Sequence, residues 1–505
     1  MAPPRPPRSD RASTPRPPQG QNAPKAPKAP KAPKAPRKRQ QRQRRTQSID
    51  PRYNPRPSGS FLLLILAIAG GLLGLRFLLQ RLPQVASRGQ GSQPSLPILQ
   101  APPAPPPFQP LAVNVSNPDP AVQQVVDDYV SRLAGVGFDS LQQGVWVQQG
   151  DRLLAEHEGN TPLPAASLTK LATTLLAVDK WEPDYKFITR VGVNGPIEAG
   201  VVKGDLILVG GGDPMFVWES AIALGNSLNQ LGITRVEGNL IVGGVFAMNF
   251  ERDRPYAAGL FREGLDSANW PWQAVEQYQT LPEGTPMPQV TIQGQTLITE
   301  AIDPASVQVL AEHHSLPMQE LLKRMNMYSN NIMAELLADL LGGAPALEQQ
   351  TIALAQLEPG EVQFINGSGL GQENQMSPRA SCRVLDVIGQ KLEPHGLGLK
   401  DVLPIVPQDK GTLEDRKLPS GLIGKTGTLS DVSNLAGMLP VAGLPALYVE
   451  QPQAICFAVQ NRGGDLNYFY DQQEVVVGAI KAKTDALVAG ESVSKSVSQG
   501  ISDLP

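Results

Sequence analysis

Fifteen consecutive apolar residues, Phe61–Leu75, do most to limit what this chain can fold into. Carried past Arg76 to Leu79, the stretch reaches 19 residues, about the thickness of a bilayer's hydrocarbon core. Arg76 sits near the far end, where its long side chain can reach the headgroups. Residues 1–57 hold 16 Lys and Arg against Asp10 and Asp50, which leaves 28 basic and 45 acidic residues for the rest. A total charge of −3 therefore averages a basic arm and an acidic body. The positive-inside rule keeps such an arm in the cytoplasm and sends the remainder across. A cleaved signal peptide competes, with Val85-Ala86-Ser87 as a small-residue site. A charged region of 57 residues is far too long for an ordinary n-region, so a retained anchor is favoured. The expected localisation is a single-pass inner or plasma membrane protein, with its body periplasmic or extracellular.

The arm repeats Lys-Ala-Pro at Lys25, Lys28, Lys31 and Lys34. Proline at every third residue favours extended polyproline II, so the arm reads as a solvated topology determinant, with no nucleic-acid partner expected. The expected organisation is a basic arm (1–57), a transmembrane anchor (58–81) and a Pro-rich linker (82–118). A folded domain (119–488) and a disordered polar tail (489–505) follow. Val122, Val125, Val126, Tyr129 and Leu133 have helical spacing. Two strands are predicted around the Gln149-Gly150-Asp151 turn, and a helix after Ser167. Residues 190–305 carry strand-like segments broken by Gly and Pro (Val201–Val209, Val236–Val242, Val290–Ile298) and read as a β-rich insert. Helical pattern returns over Met318–Leu341, then strand-like Ala454–Val459 and a last helix at about Gln472–Val488. Cys382 and Cys456 fit either one bridge or two buried thiols.

Three short strings stand in order within the folded region: Ser167-Leu168-Thr169-Lys170, Ser329-Asn330-Asn331 and Lys425-Thr426-Gly427. Ser and Lys at i and i+3 share a helix face. A hydroxyl is a poor nucleophile until a base takes its proton. A lysine can be that base if desolvation lowers its affinity for protons, and Leu168, Leu171, Ala172, Leu175 and Leu176 supply apolar surroundings. Ser329 can relay a proton to a leaving amine, and the Asn331 amide can bind a peptide carbonyl. Lys425 can hold a terminal carboxylate, while the strand around Thr426, Gly427 and Thr428 can pair with an extended substrate. Ordered as they are, the strings point to an active-site-serine, penicillin-interacting hydrolase. A second Ser-x-x-Lys, Ser492–Lys495, lies in the polar tail without an apolar helix and reads as a chance match. Gly210-Gly211-Gly212 lacks the Lys-Ser/Thr of a phosphate loop and reads as a tight turn. Adjacent His313 and His314 point apart, so neither metal nor other cofactor is expected.

With these strings the chain resembles the low-molecular-mass class C penicillin-binding proteins, the D-alanyl-D-alanine carboxypeptidase/endopeptidase group. Pro164–Leu171, Gly204-Asp205-Leu206, Gly210–Pro214, Asn366–Leu370, Gly411-Thr412-Leu413 with Arg416, and Gly424–Leu429 all resemble strings of that group. The resemblance implies an α+β, β-lactamase/transpeptidase-like domain: an antiparallel sheet flanked by helices, with the insert between the first and second motifs. It implies a serine acyl-transfer enzyme acting on peptidoglycan stem peptides, with β-lactams as covalent inhibitors. Ser167 then resembles the acylated nucleophile and Lys170 its base. Ser329 and Asn331 resemble the second wall, and Lys425, Thr426, Gly427 and Thr428 the substrate strand. Asn330 and Asn366 stand where the group commonly has Asp. The competing functions are a β-lactamase, for which no dedicated deacylation base is visible, and a catalytically silent wall-binding scaffold.

Overall fold

The computed structural model describes residues 113–440 and 454–502. The basic arm, the anchor at 58–81 and most of the linker lie outside the described residues. Among the described residues no helix is long and apolar enough to cross a membrane.

Helix α1 (Pro120–Gly135) starts where Asp119 caps it, its carboxylate accepting from the N–H of Ala121 at 3.0 Å and of Val122 at 3.2 Å. Such a cap contributes about 1 kcal/mol. Its apolar stripe buries Val122, Val126, Tyr129, Val130 and Leu133, as the spacing predicts. That stripe packs on one face of a five-stranded antiparallel sheet built from β1 (Gln143–Gln149), β2 (Arg152–His157), β8 (Ile423–Thr428), β9 (Val432–Leu439) and β10 (Ile455–Arg462). The strand order is β8-β9-β10-β1-β2. The C-terminal helix α10 (Leu466–Ser502) joins α1 on that face through Phe469, Val476, Val477 and Ile480. It begins earlier than the sequence pattern suggests and continues into residues read as a polar tail. Period-two alternation then sorts the strands. Phe457 and Val459 face α1, while Cys456 and Ala458 face the helices of the catalytic side.

Those helices are α2 (Thr169–Lys180), α6 (Met318–Met327), α7 (Asn331–Leu340), α8 (Gly343–Ala355) and α9 (Pro378–Leu392). The sequence pattern over 318–341 is continuous, yet the chain breaks it into α6 and α7 at Ser329, which adopts φ 53°. Strand β9 has no clear sequence signature, because Ser433, Asn434 and Gly437 interrupt its apolar run. All eight of its residues are nevertheless buried.

The insert corrects three expectations. It carries three helices, α3 (Trp218–Gln230), α4 (Arg254–Gly264) and α5 (Trp272–Tyr278), so it is mixed α/β rather than β-rich. Its main sheet comprises β3 (Ile188–Val193), β4 (Leu206–Gly211), β5 (Leu240–Val245), β6 (Thr296–Ile298) and β7 (Gln308–His314), in the order β6-β5-β4-β3-β7. Each long strand-like segment splits in two at a glycine. A Cβ on Gly238 would lie 2.5 Å from the Gly204 carbonyl, so the backbones touch where the chain passes from a small four-stranded sheet into the larger one. Gly210 and Gly211 end strand β4 rather than forming a tight turn. His313 and His314 face opposite ways, and the His313 ring nitrogen lies 3.2 Å from the buried Asp213 carboxylate.

Of the two arrangements the cysteines allow, the structure has the bridge. Cys382 on α9 and Cys456 on β10 form a disulfide with Cα atoms 5.8 Å apart, stapling a catalytic-side helix to the sheet. One turn further along α9, Asp386 accepts from Gln148 Nε2 at 3.0 Å, and Gln148 Oε1 accepts from Trp146 Nε1 at 2.6 Å. Burial pushes the Asp386 carboxyl up to about 7, against the opposing pull of Arg383 and the Gln148 amide. A carboxyl raised above its unfolded value adds stability fully below pH about 4 and loses it as pH rises toward 7. Asp386 keeps a partly exposed edge, so the loss is set at about 2 kcal/mol, below the undiscounted value. Asp386→Asn is expected to raise denaturant-measured stability at pH 8 by that amount and to change it little at pH 4.5. An equal effect at both pH values would contradict the assignment.

Candidate active site

The nucleophile segment enters the core through a backbone turn that the sequence alone does not announce. Ala166 takes φ 47° immediately before Ser167, in the left-handed region that costs an L-residue about 1 kcal/mol or more. Asn434 on β9 holds the turn from the sheet, its Nδ2 donating to the carbonyls of Pro164 at 2.8 Å and Ala165 at 2.9 Å. From the other side comes Gly369, with φ +82°, where a Cβ would lie 1.7 Å from the Ala166 oxygen. Only glycine fits there. Ser167 occupies a short 3-10 turn, Ala166–Leu168, that leads directly into α2.

Lys170 lies one turn on and is fully buried. Its Nζ is 2.9 Å from Ser167 Oγ, 2.8 Å from Asn331 Oδ1 and 2.7 Å from the Ser368 carbonyl. A carbonyl and an amide oxygen can only accept. A neutral amine has two N–H groups and one lone pair, so with both N–H groups spent on Asn331 and Ser368 the lone pair faces the Ser167 hydroxyl. The environment favours that neutral form. Burial, then the nearby Lys425 charge, hold Lys170 well below the ordinary lysine range, with Glu335 pulling the other way.

The second wall hangs on the strained Ser329. The carbonyl of Met327, two residues before it, accepts from the Thr412 N–H at 3.1 Å, and a Cβ on Gly411 would lie 2.2 Å from the same oxygen. This is why the Gly411-Thr412 string sits where it does. Asn330 caps α7, accepting from the Met333 N–H at 3.0 Å, and an amide caps as well as a carboxylate. Asn366 closes the next loop, accepting from the Gly369 N–H at 2.8 Å and donating to the Leu370 carbonyl at 2.7 Å. Both departures from Asp thus occupy capping roles that Asn can fill.

Strand β8 is the third wall and a sheet edge. Lys425, buried on the catalytic-side face, donates to Ser329 Oγ at 2.9 Å and the Thr426 carbonyl at 2.8 Å. Burial pushes it down to about 7. Gly427 shares that face, where a Cβ would lie 2.8 Å from the Ala165 carbonyl. The side chains of Thr426 and Thr428 turn to the other face. Thr426 Oγ1 donates to Thr412 Oγ1 at 2.9 Å, and Thr428 Oγ1 lies 3.1 Å from the Tyr470 hydroxyl of α10. The Gly424 N–H donates across the strand's outer edge to Pro404. By alternation, Thr426 and Thr428 direct their backbone groups outward along the same edge, as strand addition requires.

The structure therefore brings Ser167, Lys170, Ser329, Asn331 and Lys425 into one constellation, with Thr426, Gly427 and Thr428 along its edge. Sequence reasoning missed Asn434, the Ser368 carbonyl and Tyr470. Backbone carbonyls carry no residue signature, and Asn434 looks like an interruption in a strand. Among the described residues no group of three or more His, Cys, Asp or Glu is placed to hold a metal ion.

The sequence profile described as the D-Ala-D-Ala carboxypeptidase 3 (S13) family matches residues 133–252 and 287–469. A carboxypeptidase of Mycobacterium tuberculosis is 24% identical over 371 residues, covering 65% of this chain and 75% of that protein. The D-alanyl-D-alanine carboxypeptidase DacB of Haemophilus influenzae is 24% identical over 386 residues, covering 57% and 80%. Among solved structures, a penicillin G-acylated predatory endopeptidase of Bdellovibrio bacteriovorus, in complex with an immunity protein, superposes with TM-score 0.52. It is 23% identical and covers 71% of this chain and 92% of its own. At that identity the match establishes a shared fold.

If Ser167 is the acylated hydroxyl, with Lys170 its base and Lys425 a charged partner, acylation needs Lys170 neutral and Lys425 protonated. Its rate should rise from acid pH as Lys170 loses its proton and fall above pH about 7 as Lys425 loses its own. Lys425→Arg keeps a charge throughout. It is expected to lower the plateau while moving the alkaline limb beyond pH 9, read as penicillin acylation rate against pH. An alkaline limb left in place would remove Lys425 from that role.

Proposed function

The chain belongs to the D-Ala-D-Ala carboxypeptidase 3 (S13) family, and on that premise we propose that it is a serine D,D-peptidase with Ser167 as nucleophile. The observation that carries this assignment is the Lys170 amine, buried and aimed at Ser167 Oγ with its other partners acceptors only. Ser167 Oγ attacks the carbonyl between two D-alanines, and its proton passes to Lys170. The C–N bond breaks, and the leaving amine takes a proton through Ser329, whose hydroxyl Lys425 holds at 2.9 Å. Water then cleaves the acyl-enzyme ester. The backbone N–H groups of Ser167 and Thr428 form the oxyanion hole, and Asn331 and Lys425 bind the substrate's peptide carbonyl and terminal carboxylate. D-alanyl cross-links, which present the same bond within a longer chain, are the endopeptidase substrates of the same site. β-Lactams acylate Ser167 in place of the peptide.

We further propose that residues 58–81 anchor this domain outside the cytoplasm, with the basic arm inside. The Cys382–Cys456 bridge supports an oxidising compartment, where stem peptides are also found. Added protease should digest the domain in spheroplasts while leaving the arm intact, and the reverse pattern would overturn the topology.

Fluorescent penicillin should leave a slowly decaying covalent band on the wild type and none on Ser167→Ala. The same substitution should abolish D-alanine release from a D-Ala-D-Ala peptide, a loss of about 10³-fold or more. Rapid decay of the band with turnover of a chromogenic β-lactam would indicate a β-lactamase instead. Peptide binding without release by the folded wild type would indicate a silent scaffold.

A further inference from the structure

Glu335 has no place in the catalytic scheme above, yet it lies next to it. It follows Asn331 by four residues on α7, so both side chains project from one helix face. Its carboxylate accepts from two successive backbone N–H groups, Gly367 at 3.3 Å through Oε2 and Ser368 at 3.1 Å through Oε1. The peptide joining these two residues is gripped at both ends, because the Gly367 carbonyl accepts from Thr173 Oγ1 of α2 at 2.8 Å. Gly367 lies flat on α7, where a Cβ would come within 2.3 Å of Ala338 Cβ and 2.8 Å of the Ala334 carbonyl. The next carbonyl, that of buried Ser368, accepts from Lys170 Nζ at 2.7 Å. Displacement of this segment would take one of the two acceptors from the amine and leave its lone pair free to turn away from Ser167.

We propose that Glu335 is a positioning residue that clamps the Gly367-Ser368 segment against Lys170 and, through its negative charge, sets the pH range in which Lys170 acts as the base. This rests on the D,D-peptidase reading and goes beyond it by assigning two separable jobs to a residue outside the three motifs. Among the described residues, the ionisable groups acting on Lys170 are Glu335 from α7 and Lys425 from β8, with opposite effects. Lys425 favours the neutral amine and Glu335 the charged one. A base with too little affinity for protons would not take one from a hydroxyl, and one with too much would be occupied at neutral pH. Glu335 balances the second lysine.

Glu335→Gln removes the charge and keeps one of the two acceptors, because its amide oxygen can take one N–H while its amide nitrogen faces the other; Glu335→Ala removes the charge and both acceptors. In the full chain, kcat/KM for a D-Ala-D-Ala peptide and the penicillin acylation rate are measured from pH 5 to 9 for wild type, Glu335→Gln and Glu335→Ala. Removing the charge lowers the proton affinity of Lys170, so the acid limb of Glu335→Gln should move down by about one pH unit. Glu335→Ala should show the same displacement with a plateau lower by a further tenfold or so, because the clamp is lost too. Lysine 13Cε resonances of the full chain, with that of Lys170 identified by its loss in Lys170→Met, follow the same titration without turnover. They decide the question even in a chain that releases no D-alanine, so failure of the peptidase reading and failure of this inference stay distinct. A Lys170 titration and an acid limb unmoved in Glu335→Gln, with or without a uniform drop in rate, would overturn the proposal.

Discussion

Burying two lysine amines within one cleft is the constraint on which the rest of this structure depends. An ammonium taken out of water costs several kcal/mol unless it is paired or gives up its proton. Among the described residues, neither Lys170 nor Lys425 has a carboxylate as a direct hydrogen-bond partner. Their neighbours are hydroxyls, an amide and backbone carbonyls. Burial therefore holds both toward neutrality, and the Lys425 charge makes that of Lys170 harder still to keep. A fold that tolerates this needs rigid acceptors at fixed places, and much of the catalytic-side architecture supplies them.

That rigidity comes from paired distortions. Ala166 and Ser329 are both left-handed, and each stands beside a glycine that lets another backbone come into contact, Gly369 at one and Gly411 at the other. Strain of this kind persists only where the surroundings over-determine it. Here the surroundings are Asn434 reaching up from the sheet, the Thr412 N–H on the Met327 carbonyl, and the cap made by Asn330 on α7. Two of the family strings outside the three motifs, Asn366–Leu370 and Gly411-Thr412-Leu413, acquire a physical meaning in this way. They are the contacts that keep two unfavourable turns from relaxing.

The sheet contributes differently. Because side chains alternate across β8, Lys425 and Gly427 serve the helical side while Thr426 and Thr428 face Thr412 and α10. The same strand presents its backbone to the cleft. One edge strand thus connects the charge, the outward-facing backbone edge and the C-terminal helix. The disulfide fixes the neighbouring part of that frame by tying α9 to β10. Its closure of 74 residues is worth about 4 kcal/mol in a chain-entropy account.

The sequence by itself determined what is local or compositional. The apolar stripe of α1, the β1–β2 turn at Gly150, the helix after Ser167 and the three reactive strings follow from periodicity and side-chain chemistry, which act over a few residues. Strand β9 was not legible, because Asn434 is polar for a partner 270 residues away. Nor was the break between α6 and α7, since the apolar spacing runs straight through it. The insert's helices were hidden by glycine-punctuated β-like segments on either side. Only the tertiary structure could choose the Cys382–Cys456 bridge over two free thiols, place the Ser368 carbonyl on Lys170 and bring Glu335 beneath that segment. Each of these depends on groups far apart in the chain, and a backbone carbonyl or an ordinary helical glutamate has no signature until folding gives it a neighbour.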